Sequence, residues 1–367
     1  MAEQTVAANE LRLDRVNTPP AQTWNYLRAN DITLTVPQHS RKGDVYFALP
    51  RLFDGIECGM GPKVSDWVCS QAADARYVEV RAGERREEPI VVAAGTGDTA
   101  DVGVMVRPGA EATIVLYAHG DKAEDDATSG TLLRVIAGRR ARVHVLEFVA
   151  TGVGRQHLES VGITADDDAR IEVSQFFLGS GTTAAGIAIA LDGDRARAEL
   201  SCSYLGQDHD VLDINHVVRQ RGLRTRADVR EHGVLNDHAR KALRATIDLI
   251  HGSAGSEGAE LENVLMLSDD VTNKTMPVIL CDEDDVAGNH GATIGTVGPE
   301  QVQYLRDRGL TQHEAEQLYV RALFDEALIA APTPEVRSAM LARAQNVLGT
   351  EVAGDLVEGL SLETEGA

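Results

Sequence analysis

Rings, thiols and positive charge are all scarce in this chain. Only 4% of its 367 residues are Phe, Trp or Tyr, too few for a groove that stacks sugars. The four cysteines, Cys58, Cys69, Cys202 and Cys281, lie far apart with no C-x-x-C. Neither a disulfide framework nor a zinc ribbon is therefore expected. The 35 Lys and Arg are outnumbered by 57 Asp and Glu, for a formal charge of −22. That balance argues against nucleic acid or an anionic membrane as partner, and permits a basic protein or a cation. No apolar run reaches the roughly 20 residues of a membrane span. The start, Met1-Ala2-Glu3-Gln4-Thr5, lacks the basic and apolar regions of a secretion signal, so a cytoplasmic chain with reduced thiols is expected.

Several enzyme signatures are incomplete. Gly95-Thr96-Gly97 and Gly179-Ser180-Gly181 lack the remainder of a phosphate-binding loop, so no nucleotide site is expected. His313-Glu314 lacks the second histidine of a zinc-protease helix. The run Asp282-Glu283-Asp284-Asp285 reads as a solvated turn, because consecutive strand residues face opposite ways and four cannot converge. His209 and His216 have an odd spacing, which places them on opposite faces of a regular strand.

What the chain does have is a period. Ala followed by alternating apolar residues recurs at Ala112, Ala141, Ala169, Ala198 and Ala227, in steps of 29, 28, 29 and 29 residues. A second series runs through Leu133, Val161, Ile189 and Val217 in steps of 28. Turn residues separate the two: Gly138-Arg139-Arg140, Asp166-Asp167-Asp168, Asp192-Gly193-Asp194 and Gly222-Leu223-Arg224. Alternation marks strands, and repetition at this length marks a solenoid whose units bury their apolar faces only by stacking.

The ends differ. Residues 1–74 read as a helical and irregular region, with an amphipathic stretch from Thr23 to Ala29 and glycines at 55, 59 and 61. Residues 75–298 read as the solenoid. From Pro299 the period becomes helical. Gly309 suits a helix C-terminus, Thr311 and Glu314 form a capping box, and Thr333-Pro334 starts a last helix with a hydroxyl cap and proline at its first turn. One helical face carries Ala315, Leu318, Ala322 and Leu323. Residues 299–367 are read as a helical domain.

Where the solenoid meets the helices, residues 276–295 hold a thiol, a carboxylate run and an imidazole, a set suited to iron–sulfur species or zinc. The run Asn289-His290-Gly291-Ala292-Thr293-Ile294-Gly295, followed by Tyr304-Leu305-Arg306-Asp307-Arg308-Gly309-Leu310 and Glu314-Ala315, resembles the SufB/SufD family of iron–sulfur cluster assembly scaffolds. Glu262-Asn263-Val264-Leu265-Met266-Leu267-Ser268 with Pro277, Thr23-Trp24-Asn25-Tyr26-Leu27 and Gly59-Met60-Gly61 fit the same pattern. The resemblance implies a right-handed parallel β-helix core flanked by helical regions, and a scaffold rather than an enzyme. It further implies pairing of two β-helix subunits, docking of the ABC-type ATPase SufC on the C-terminal helices, and a transient iron–sulfur cluster at the subunit interface. On the same basis His290 matches a shared interface histidine. The cluster cysteine of SufB-type members falls on Glu262, their glutamate after the histidine on Gly291, and the cysteine of many SufD-type members on Gly288. These departures favour a SufD-type subunit. Cys281 is a substitute thiol, with a small buried hydrophobe as the alternative, and Asp285 and Asn289 are candidates to hold the His290 ring. His290 is expected at a sharp turn before Gly291. Met276 and Val278 are expected at the subunit interface, and Leu318, Tyr319, Ala322, Leu323 and Phe324 against SufC.

Two other readings stay open on the sequence. One is a homodimeric scaffold working with SufC alone and using Cys281, Glu262 and His290. The other is a β-helix carbohydrate-active enzyme with paired carboxylates, which the few aromatics and the missing secretion signal disfavour.

Overall fold

The computed structural model describes residues 9–22, 25–38, 47–95, 97–120, 127–296, 299–350 and 352–354. Of the residues read above, Met1 to Thr5, Thr23, Trp24 and Thr96 lie outside the described residues, as do 355–367 at the end of the proposed helical domain.

The centre is a parallel β-solenoid of about seven turns. Strands β3 (Ala75–Val80), β5 (Thr99–Val106), β7 (Thr128–Ala137), β9 (Gln156–Ala165), β11 (Thr182–Leu191), β13 (Val211–Gln220), β15 (Arg240–Leu249) and β17 (Thr272–Cys281) stack as one sheet. Strands β4 (Ile90–Ala94), β6 (Glu111–Gly120), β8 (Arg142–Thr151), β10 (Arg170–Phe177), β12 (Arg197–Gly206), β14 (Arg226–Leu235), β16 (Ser256–Met266) and β18 (Val286–Gly295) stack as the other. Parallel neighbours need a long crossover, and here each crossover is a strand of the facing sheet. Inward positions hold mostly Val, Ile, Leu and Ala, and they form one continuous core from Val80 to Val264.

The period read from the sequence is correct, but its register slips. Ala112 pairs with Val143 rather than Ala141, and Ile171 with Ala198. The true steps along this row are therefore 31, 28, 27 and 29. Shifts of two residues keep a side chain on its face; a shift of one does not. Val217 pairs with Ala188 and lies on the outer face, while His216 and Val218 point inward. His209 sits in the turn before β13, stacked on His238 with ring centroids 5.1 Å apart. The turns coil in register through left-handed residues, Arg140 (φ 59°), Asp168 (φ 56°), Arg195 (φ 59°) and Arg224 (φ 55°).

Both outer faces are covered. On the odd-numbered sheet lie an antiparallel pair, β1 (Glu10–Val16) with β2 (Ile32–Pro37), and helix α1 (Pro62–Gln71). The strand pair was not anticipated; its seven- and six-residue strands are too short for a strong periodic signal. Val64, Trp67 and Val68 of α1 pack on Leu132, Leu158 and Ala184. The chain before α1 runs so close to β11 that a Cβ at Gly59 would lie 2.1 Å from the Gly186 carbonyl carbon. On the even-numbered sheet lie α3 (Gln312–Ala330) and α4 (Pro334–Leu348), with α2 (Pro299–Arg306) set against α3. Gly309 takes φ 92°, the Thr311–Glu314 capping box forms, and Thr333 caps α4 with Pro334 in its first turn. Phe324, Leu328 and Met340 pack on Leu146, Phe148 and Phe176.

Candidate functional site at the open end of the solenoid

Among the described residues, no further turn stacks on the last one, β17 and β18. Its inward residues are therefore half-buried or exposed where their counterparts one turn earlier are buried. His290 stands in register with Glu260, in an inward row that continues through Val229 and Leu200. Cys281 stands in register with the buried Leu249. Both are exposed, so Cys281 is not the buried hydrophobe that was the alternative. The Cys281 thiol donates to the Glu283 carbonyl at 3.3 Å. Glu262 lies on β16, one turn in from that rim and in register with Ala292 of β18, and is fully buried. Lys241 Nζ donates to its Oε1, and the Tyr204 hydroxyl donates to the same oxygen at 2.7 Å. The three candidate ligands all face inward toward one end, His290 and Cys281 on the last turn and Glu262 one turn deeper, without converging as a metal-binding group.

Other expectations are corrected. His290 is a mid-strand residue of β18 rather than a turn residue, because Gly291 continues the ladder with Leu261. Asn289 pairs with Ala259 and, one residue from His290, faces the opposite way. Asp285 lies in the exposed turn before β18, where its carbonyl accepts from the Gly255 N–H at 2.6 Å. Among the described residues no hydrogen bond joins either to His290. Glu283 organises that turn by accepting from Gly252 N–H at 2.8 Å and Asp284 N–H at 3.0 Å, so the acidic run is a turn. Met276 is buried within the subunit and Val278 is half-buried, because the N-terminal region covers this face; Arg244, beside Met276 in register, donates to the Ala29 carbonyl at 2.7 Å. On α3, Leu323 and Phe324 are buried against the solenoid and Tyr319 is half-buried, leaving Leu318 and Ala322 outward. Helix α3 is apolar on two faces, and spacing alone does not say which one meets the core. The outward stripe also includes Ile329, 61% exposed, with Tyr304 of α2 exposed nearby in sequence.

Behind the rim, the solenoid interior is not uniformly apolar, which the sequence reading missed. One inward row reads Glu147, Gln175, Cys202, Glu231, Glu262 over five successive turns. Facing it are His157 and Glu159 of β9, His216 of β13 and Lys241 of β15, all buried. Gln175 Nε2 donates to Glu147 at 2.7 Å. His157 contacts Ser129 Oγ through Nδ1 at 2.9 Å and Glu159 through Nε2 at 3.4 Å. His216 Nδ1 lies 2.9 Å from Glu231 Oε1. Burial disfavours charge here. It lifts Glu147 well above the carboxylate range, with the Glu159 charge adding to the effect, and raises Glu159 to about 7. It raises Glu231 and brings Glu260 to about 8. It lowers His157 and His216 to about 4 and pulls Lys241 down. Cys202 is a deeply buried thiol pushed well up by burial, hence a poor nucleophile. A signal was present in the sequence: carboxylates at the inward beat of the alternation, as in Ala227, Val229, Glu231.

Among the described residues no three His, Cys, Asp or Glu side chains converge as a metal ion would require. The chain offers a partial donor set at an open end. No helix among the described residues is long and apolar enough to cross a membrane.

The geometry defines a class: a parallel β-solenoid with an acidic interior row, sheathed by helices on one face and open at one end. Residues 90–323 match the family described as SUF system FeS cluster assembly, SufBD core domain, and the chain belongs to that family. It is 25% identical over 218 residues to the iron–sulfur cluster assembly protein SufD of Bacillus subtilis (strain 168), covering 59% of this chain and 50% of that one. It is 22% identical over 285 residues to SufD of Escherichia coli (strain K12), covering 75% and 67%. A SufBD family iron–sulfur cluster assembly protein of Mycobacterium leprae (strain TN) is 24% identical over 231 residues, covering 55% and 57%. The chain thus spans half the length of the Bacillus relative it matches.

Proposed function

We propose that this chain is a SufD-type subunit of an iron–sulfur cluster assembly scaffold, pairing with a SufB-type subunit through the open end and docking the SufC ATPase on its C-terminal helices. The observation that carries the reading is the open end itself. His290 and Cys281 stand exposed on the inner face of the last turn, beside two strand edges left unpaired among the described residues. Unpaired edges invite another chain, and a partial donor set calls for donors from a partner. The similarity to proteins named SufD supports the SufD-type assignment. The exposed stripe of Leu318, Ala322 and Ile329 supports the helices as the ATPase dock, and any ATPase activity belongs to that partner. The cluster is cargo, held transiently. Neutral imidazole and thiolate are donors suited to iron, and Glu262, engaged by Lys241 and Tyr204, is the least available of the three. A cytoplasmic setting follows from the same role.

The test is iron and sulfide content of the assembled complex after anaerobic reconstitution. His290→Ala is expected to lower cluster content while leaving melting temperature and ATPase binding unchanged, and His290→Cys to restore part of it. Wild-type cluster content in His290→Ala overturns the ligand role.

A further inference from the structure

Glu260 lies one turn in from the open end, on the inward face of β16. It is 3% exposed, yet neither of its carboxyl oxygens has a hydrogen-bond partner among the described residues. Buried polar groups nearly always find a partner, and a buried side chain with none calls for an ion or water that the strands do not supply. The surroundings say why the strands supply none. On the inner side Glu260 stands in register with Val229, which offers no donor side chain. Lys241, the buried cation of this end, spends its ammonium on Glu262 and on Thr275 Oγ1 at 3.0 Å. On the outer side the in-register neighbour of Glu260 is His290, whose side chain is exposed at the rim.

In-register residues of neighbouring parallel strands stand about 4.8 Å apart and point to the same face. Divalent first-row ions bond imidazole nitrogen and carboxylate oxygen at about 2.1 Å. A carboxylate and an imidazole on such a pair can therefore meet one ion without moving either strand. The two side chains are not bonded to each other, so neither is committed against that use.

We infer that Glu260 is a further metal-binding residue of the open end, holding a single ferrous ion together with His290 inside the last turn. Imidazole and carboxylate are the donors of many ferrous sites. Two donors leave the other positions of the ion to water on the open side, in keeping with the absence of three converging side chains among the described residues. Glu262 stays outside the set, because Lys241 and Tyr204 engage it. The inference rests on the proposed role of His290 and extends it, from a cluster held between subunits to an ion that one chain takes up by itself.

The full chain, purified alone and free of sulfide, is tested by anaerobic equilibrium dialysis against ferrous iron near neutral pH. Magnesium in excess fills carboxylate sites on the acidic surface, which hold it as well as iron. Wild type is expected to hold one iron per chain. Glu260→Gln, which keeps the shape and removes the charge, and His290→Ala are each expected to weaken binding by about tenfold or more. Glu260→Leu is expected to lose iron in the same way at an unchanged or higher melting temperature, since a buried carboxyl without a partner does not support the fold; it separates a lost ligand from a lost fold. A wild-type chain that holds no iron, or wild-type affinity in Glu260→Gln, overturns the inference. The scaffold reading is judged separately by the cluster content of the assembled complex. Cluster lost in His290→Ala, with iron affinity untouched in Glu260→Gln, overturns the role of Glu260 and leaves that reading standing.

Discussion

Replacing Lys241 with Met removes the cation from a pair in which both side chains are fully buried. Glu262 keeps the Tyr204 hydroxyl but loses its counter-charge, and its Oε2 already lacks a partner. Breaking a buried pair by removing one member costs about 3–5 kcal/mol, because the remaining charge is uncompensated. Urea denaturation followed by far-UV circular dichroism reads the effect as a lower midpoint at unchanged slope. The double variant Lys241→Met with Glu262→Leu replaces the pair by apolar groups of similar length and is expected to recover most of the loss. A Lys241→Met stability within about 0.5 kcal/mol of wild type at pH 8, well short of the loss expected for a stranded buried charge, refutes the reasoning. So does a double variant no better than the single one.

Glu159 is raised to about 7 by burial, so the folded state holds its proton more tightly than the unfolded state. Its contribution is full below the unfolded value near 4.5 and is lost as pH rises toward 7. Glu159→Gln should therefore flatten the decline of melting temperature between pH 5 and 8; an unchanged slope counts against a buried, proton-holding Glu159. His157 and His216, lowered to about 4, act in the opposite direction, with stability present above pH 6.5 and lost as pH falls toward 4. Phe324→Ala removes a fully buried ring from the helix–solenoid interface and should cost about 3–5 kcal/mol, seen as earlier proteolytic release of the C-terminal helices. Leu318→Arg with Ile329→Arg changes only exposed positions. It should leave melting temperature within about 2 °C while abolishing SufC capture in a pull-down, and full capture would move the dock elsewhere.

The solenoid was legible because stacking repeats one requirement in every turn. Each turn must place small aliphatics inward and a turn-former at the corner, so the period survives even where single registers slip. Those slips have a physical origin. Successive turns differ in loop length, and alternating Ala and Val give a two-residue offset almost the same apolar score as the true pairing. The position of His290 was misread, because a glycine after it reads as a turn although any strand tolerates one. Phe324 was misplaced for a related reason: an aromatic on an amphipathic helix marks an interface without saying with what. The interior acids were missed because an acidic residue in a strand is ordinarily an outward one. Only the pairing of Glu147, Gln175, Glu231 and Glu262 in one row makes them a feature.

The central claim is that the open end is completed by another subunit while the helices hold the ATPase. Native mass spectrometry of this chain, co-expressed with the SufB-type and SufC-type proteins of the same genome, tests both halves together. Ile294 lies at the open end, 49% exposed and in register with the buried Val264. One assembly containing all three chains is expected. In Ile294→Arg the SufB-type subunit should be lost with the ATPase retained, because pairing would bury an uncompensated charge. A wild-type chain that flies alone, or an Ile294→Arg chain that keeps the full assembly, contradicts it.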